Sequence, residues 1–101
     1  MNALIVGGDR VHAIREELEK VAPAPGALRV EHWPGRKPGY SRRSVSAGTR
    51  VIVFVCRHLS HSLMLHVRRQ ADDLGVPVVY LRRSDIGWQA ELQNLRERLA
   101  D

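Results

Sequence analysis

The stretch Arg50–Gly75, RVIVFVCRHLSHSLMLHVRRQADDLG, joins an unbroken apolar run to an amphipathic segment through a short polar junction. Val51, Ile52, Val53, Phe54 and Val55 are mostly β-branched and leave no polar face, the pattern of a strand covered on both sides in a parallel sheet. Cys56 closes the run. Ser60 stands where its hydroxyl can accept from the free amides of a helix starting at His61, and Gly75, followed by Val76 and Pro77, ends that helix through an αL-type cap. The stretch therefore predicts strand, loop, helix and next strand.

Toward the N-terminus, Ala3–Val6 reads as a first strand, and Gly7-Gly8-Asp9-Arg10 turns it into a helix with Val11, Ile14, Leu18 and Val21 at helical spacing. Pro23-Ala24-Pro25-Gly26 stops that helix. Leu28–His32 is a second, short and partly charged strand. Trp33–Arg50 then forms an eighteen-residue connection, long enough to be functional or to hold a short helix of its own, for which Ser41–Val45 is the candidate.

Toward the C-terminus, Val76–Leu81 is the fourth strand, and Arg82-Arg83-Ser84-Asp85 leads into a last helix capped by Ser84 or Asp85. Ile86, Trp88, Leu92, Leu95 and Leu99 lie on one stripe of it. Strands alternating with helices imply a parallel sheet with right-handed crossovers. The expectation is one α/β domain over residues 1–101: a four-stranded parallel sheet of order 2-1-3-4 in a three-layer Rossmann-like or flavodoxin-like sandwich.

A chain of 101 residues buries a modest core, which makes a homodimer an expectation. The formal charge is +5 and the pI near 10.3. Its distribution says more than its total, because residues 32–71 contain no Asp or Glu while Arg36, Lys37, Arg42, Arg43, Arg50, Arg57, Arg68 and Arg69 fall among them. One strongly positive side is expected. A single cysteine excludes an intramolecular disulfide and any cysteine-rich metal site made by one chain, in keeping with a reducing cytoplasm. The opening MNALIVGGDR has a short apolar run without a basic leader and reads as a strand rather than a signal peptide. No segment approaches the length of a membrane span, and no membrane association is expected.

In open parallel sheets the ligand site lies beyond the carboxyl ends of the strands, where strand order reverses, here between strands one and three. That rule gathers Gly7, Gly8, Asp9 and Arg10, then Trp33 to Lys37, then Arg57, His58, Ser60 and His61, then Arg82 and Arg83, on one edge.

The runs ALIVGGDR, WPGRKPG, SRRSV, LSHSLMLHVRRQA and GVPVVYLRRS together resemble the uncharacterised bacterial family numbered 2325 among the domains of unknown function. The resemblance covers almost the whole chain, and its most distinctive motifs are the Gly-Gly pair after the first strand and Ser60-His61 at the start of the central helix. It implies a small Rossmann-like domain and supplies no settled activity. In the family the residues before Ser-His often include Asp and are otherwise uncharged, whereas this chain has Cys56-Arg57-His58-Leu59.

The residues fall short of several familiar chemistries, although phosphate binding at the helix start after Gly8 stays open. Gly7-Gly8-Asp9-Arg10-Val11-His12 has neither the spacing nor the third glycine of a dinucleotide fingerprint, and a P-loop is absent. Cys56, among Arg57, His58 and His61, has surroundings that lower a thiol pKa. A cysteine phosphatase, however, wants an arginine six positions on, where Ser62 stands. A buried strand-end cysteine is the better account, and a non-enzymatic domain is expected. Nucleic-acid binding draws on the basic run but lacks a recognisable module, with Trp33 and Tyr40 as the aromatics near it.

The helix beginning at His61 places Leu63, Val67, Ala71 and Leu74 on one face and His61, Met64, Leu65 and Arg68 roughly opposite. His66 falls toward the core side as a hydrogen-bonded packing residue, while His12 and His32 stand in no pattern. Met64 and Leu65, with Trp88, suggest a subunit contact or the wall of an apolar pocket.

The expected function is a ligand-binding sensor or carrier for a small anionic or amphipathic molecule. Its sharpest form is haem b. His61 would be the axial iron ligand, Met64, Leu65 and Trp33 the apolar wall, and Arg36, Lys37, Arg42 and Arg43 the cations for the propionates, with Ser60 and Gly8 lining the site. An open sixth position would suit O2, CO or NO sensing; His58 or Met64 as second ligand would suit electron transfer or haem delivery. The alternative is a dimeric interaction module whose basic strand-end face binds an anionic nucleotide or nucleic acid.

Overall fold

The computed structural model describes residues 2–8, 11–22, 26–34, 43–56 and 59–81, together with positions 90 and 94. Through residue 81 the elements described follow in the order β1 (Asn2–Val6), α1 (His12–Val21), β2 (Arg29–Trp33), β3 (Thr49–Val55), α2 (His61–Leu74) and β4 (Val78–Leu81). All pairings are parallel and the sheet order is β2-β1-β3-β4. This is the expected Rossmann-like α/β architecture.

The two halves of the core lie on opposite faces of the sheet, as strand alternation requires. On one face Ile14 and Leu18 of α1 pack with Ala3, Ile5, Val51, Val53, Val55, Val79 and Leu81. On the other, Leu63, Val67 and Ala71 of α2 pack with Leu4, Val6, Trp33, Ile52 and Phe54, and Val45 from the β2–β3 connection joins them. Val51 to Phe54 have no solvent exposure, so both faces of β3 are used, as its apolar run implies. Burying each such side chain contributes about 1.5–3 kcal/mol before entropy is counted.

Local signals behave as their chemistry predicts at α2. The Ser60 hydroxyl accepts from the Leu63 amide at 3.4 Å, and Gly75 ends the helix at φ +67° with its amide bonded to the Ala71 and Asp72 carbonyls. The start of α1 is different: Val11 precedes it and offers no side-chain cap.

Several boundaries shift. Trp33 belongs to β2 rather than to the connection and is 1% exposed. Strand β3 begins at Thr49, two residues early, and the register slips between Asn2 and Ala3 of β1, which face Thr49 and Val51. Arg50 is the extra, exposed residue of that bulge. Strand β4 starts at Val78; Val76 and Pro77 lead into it, the Pro77 carbonyl accepting from the Ile52 amide at 3.1 Å. Residues 43–46 are not helical, and the first part of the Ser41–Val45 candidate lies outside the described residues. Leu74, expected on the packing face of α2, is 43% exposed, because it sits at the last turn where the chain leaves the sheet.

Ala90 and Asn94 are helical and exposed, positions that fall opposite the stripe expected for the last helix. That stripe, with Ile86, Trp88, Leu92, Leu95 and Leu99, and its caps Ser84 and Asp85 lie outside the described residues.

Candidate functional site at the carboxyl edge

The point of strand-order reversal lies between β1 and β3, and backbone rather than side chain shapes it. Gly7 continues the sheet by donating its amide to the Trp33 carbonyl at 2.8 Å. With φ +94° it turns out of the strand so close to β3 that a Cβ there would overlap the Val55 carbonyl oxygen. The same Cβ would stand 3.4 Å from the Leu59 side chain, and one on Gly8, φ +75°, would stand 3.1 Å from Val55 and 3.5 Å from Val11. Both glycines are buried. Among the described residues, Gly7 and Val55 thus approach too closely to leave space between them at the point of reversal.

His32 holds the glycine turn from the β2 side. Its Nε2 lies 2.9 Å from the Gly7 carbonyl oxygen and 3.1 Å from that of Gly8. Both partners only accept, so Nε2 carries a proton and donates to them. The residue motif alone gave no sign of this role. What could have found it is the strand order, which places the last residues of β2 beside the turn after β1.

His61 opens α2 at the same edge. It is exposed, and among the described residues its ring makes no hydrogen bond or ion pair. Ser60 is occupied in capping the helix and contacts Ser62 Oγ at 2.9 Å. Leu65, one turn on, is 44% exposed. Met64 is half-buried and packs against the α2-side core, where a fully outward face was expected. Cys56 is half-buried, with its amide on the Leu81 carbonyl at 3.0 Å.

Arg43 is engaged on two sides. Its guanidinium is 3.6 Å from the Glu31 carboxylate, which also accepts the buried Trp33 indole N–H at 2.8 Å. Its carbonyl accepts from His66 Nε2 at 2.7 Å and from Gln70 Nε2 at 3.2 Å. Gln70 Oε1 in turn accepts the Val45 amide at 2.6 Å, which fixes the orientation of the carboxamide. The hydrogen-bonded role expected for His66 is present. Glu31 and Gln70 are structural partners that the sequence did not point to.

Arg68 lies over the Tyr80 ring, 5.7 Å from its centroid, and hydrogen-bonds both the Tyr80 hydroxyl and Asp72. These contacts hold its guanidinium pKa above the usual arginine value. Arg36, Lys37, Arg42, Arg57, His58, Arg82 and Arg83, expected at this edge, lie outside the described residues.

A haem needs an imidazole, an apolar slot and cations for its propionates. His61 fits the first requirement. Trp33 and Met64, however, are committed to the core, so Leu65 alone remains of the three apolar residues expected to wall it. The described residues therefore hold an axial donor without a slot. No group of three metal-ligating side chains occurs among them.

Scans against protein-family models, curated proteins and solved structures found no match for this chain.

Proposed function

We propose that the protein is a small, non-enzymatic ligand-binding domain, a sensor or carrier, whose ligand is an anionic or amphipathic molecule held on the carboxyl edge of the sheet by His61. The observation that carries this is the exposed and unengaged His61 ring at the start of α2, two residues after Leu59, whose side chain lies beside the Gly7 turn. Parallel sheets bind ligands at this edge. Likeness to the uncharacterised bacterial family numbered 2325 belongs to the same proposal, since its two motifs, Gly7-Gly8 and Ser60-His61, meet there.

Haem b is the specific form to test first, with His61 as iron ligand and Arg36, Lys37 and Arg42 as the cations proposed for its carboxylates. The test is the absorption spectrum of the purified protein, followed by haem titration. A Soret band that His61→Ala abolishes supports haem; no uptake by the wild type removes haem from the proposal. A homodimer through the Leu65 side of α2 is part of the reading, and sedimentation showing only the 11.4 kDa species at micromolar concentration would end it. Among the described residues no helix is long and apolar enough to cross a membrane, and we place the protein in the cytoplasm.

The second reading is a basic interaction module for a nucleotide or nucleic acid. It rests on Arg50 and Arg69, which are exposed and without ion pairs among the described residues. Polyanion affinity that falls steeply with salt, in a colourless protein, would select it.

A further inference from the structure

The amino edge of the sheet holds a hollow of about 210 Å³ between the first residues of β1, β2 and β3, far from the Gly7 turn. Asn2, Arg29, Glu31, Ser46 and Thr49 line it. Three of these side chains have polar groups with no partner: Asn2, Arg29 and Thr49 make no side-chain hydrogen bond or ion pair among the described residues. Thr49 is the one buried polar residue described, 7% exposed, and since no buried side-chain polar atom among the described residues lacks a partner, what stays open of Thr49 is its hydroxyl, which solvent in the hollow reaches. Gly48 keeps space for the Asn2 carboxamide, since a Cβ at position 48 would stand 3.3 Å from Asn2 Nδ2.

The charges are arranged unusually. Arg29 and Glu31 share one face of β2 by strand alternation, yet they do not pair. Glu31 spends Oε1 on Trp33 and Arg43, leaving Oε2 available, while the Arg29 guanidinium keeps its full set of donors. A cation and an anion that line one small hollow without pairing, together with amide and hydroxyl groups on the same wall, complement a molecule that carries both charges.

We propose that this hollow binds a small zwitterion of the α-amino-acid class. Its carboxylate meets the Arg29 fork, its ammonium meets Glu31 Oε2, and Thr49 and Asn2 supply hydrogen bonds to its polar atoms. The volume of about 210 Å³ admits a molecule of amino-acid size. This site is separate from the carboxyl edge, and neither proposal depends on the other.

The test is a ¹⁵N-resolved NMR titration of the full chain with L-serine, and with acetate and methylammonium as single-charge controls. Serine is expected to shift the amides of Asn2, Arg29, Glu31 and Thr49 saturably in the millimolar range while leaving Gly8 and His61 unmoved. Arg29→Gln, at an exposed position, and Thr49→Val, which keeps the shape, should each weaken binding about tenfold, the effect of one lost polar contact. No saturable shift at these residues overturns the proposal. So does acetate binding as tightly as serine, which would mark a bare anion contact, or serine affinity unaltered in both variants.

Discussion

Gly7 and Val55 are in backbone contact: the α-carbon of Gly7 lies where any side chain would strike the Val55 carbonyl oxygen. The contact follows from register, because Val6 pairs with Phe54 in parallel and the next residue of each strand is brought alongside. Both a left-handed φ and the lack of a Cβ are needed here.

Gly7→Ala is therefore expected to destabilise the fold by about 3 kcal/mol or more, combining left-handed strain with a clash against backbone that cannot swing away. Gly8→Ala has φ +75° and a nearest contact of 3.1 Å to a Val55 methyl, which can give, so about 1–2 kcal/mol is expected. Urea unfolding of the two variants checks the order. Equal effects would mean that the close approach at Gly7 is not the cause.

Replacing His32 with Phe removes the donor shared by the Gly7 and Gly8 carbonyls and should cost about 1–2 kcal/mol. In the wild type, ¹⁵N spectra of the imidazole should show a protonated Nε2. An Nε2 without a proton at neutral pH would contradict the bonding described.

Gln70→Leu should cost about 2 kcal/mol, since it strips the buried Val45 segment of its amide acceptor and Arg43 of one donor. His66→Phe should cost less, because Gln70 still serves the same carbonyl. Hydrogen exchange reads this directly: the Val45 amide is expected to lose protection in the Gln70 variant and to keep most of it in the His66 variant.

Trp33→Ala should cost about 3–5 kcal/mol as a core truncation. In a Trp88→Phe background, the emission of Trp33 should be blue-shifted and poorly quenched by iodide, as befits a ring that is 1% exposed. Emission typical of water-exposed indole would remove Trp33 from the core and restore it as a candidate pocket wall.

His61→Ala should leave stability within about 0.5 kcal/mol of the wild type, as for an exposed side chain without partners. Its effect should appear only in ligand binding. A large loss of stability would make His61 a structural residue and withdraw the assignment of the carboxyl-edge site to it.

Order along the chain specifies a good deal here. The apolar run Val51–Val55, the Ser60 cap and the Gly75 terminator are short-range signals, each acting within a few residues, so they mark strand, helix start and helix end wherever they occur. The alternation of strand and helix then restricts the sheet to parallel pairing and the order β2-β1-β3-β4. What local pattern does not carry is which groups meet across the chain. His32 finds Gly7 from 25 positions away, and Gln70 finds Arg43 from 27. Trp33 turns inward because the last residue of β2 shares a face with Leu4 and Val6, and Arg43 meets Glu31 beside Val45, which is buried on that same face. The hollow at the amino edge is walled by residues from β1, β2 and β3 and by Ser46, which stand far apart in the chain. Such contacts depend on register and on the side of the sheet each crossover takes, quantities that exist only once the strands have been brought together.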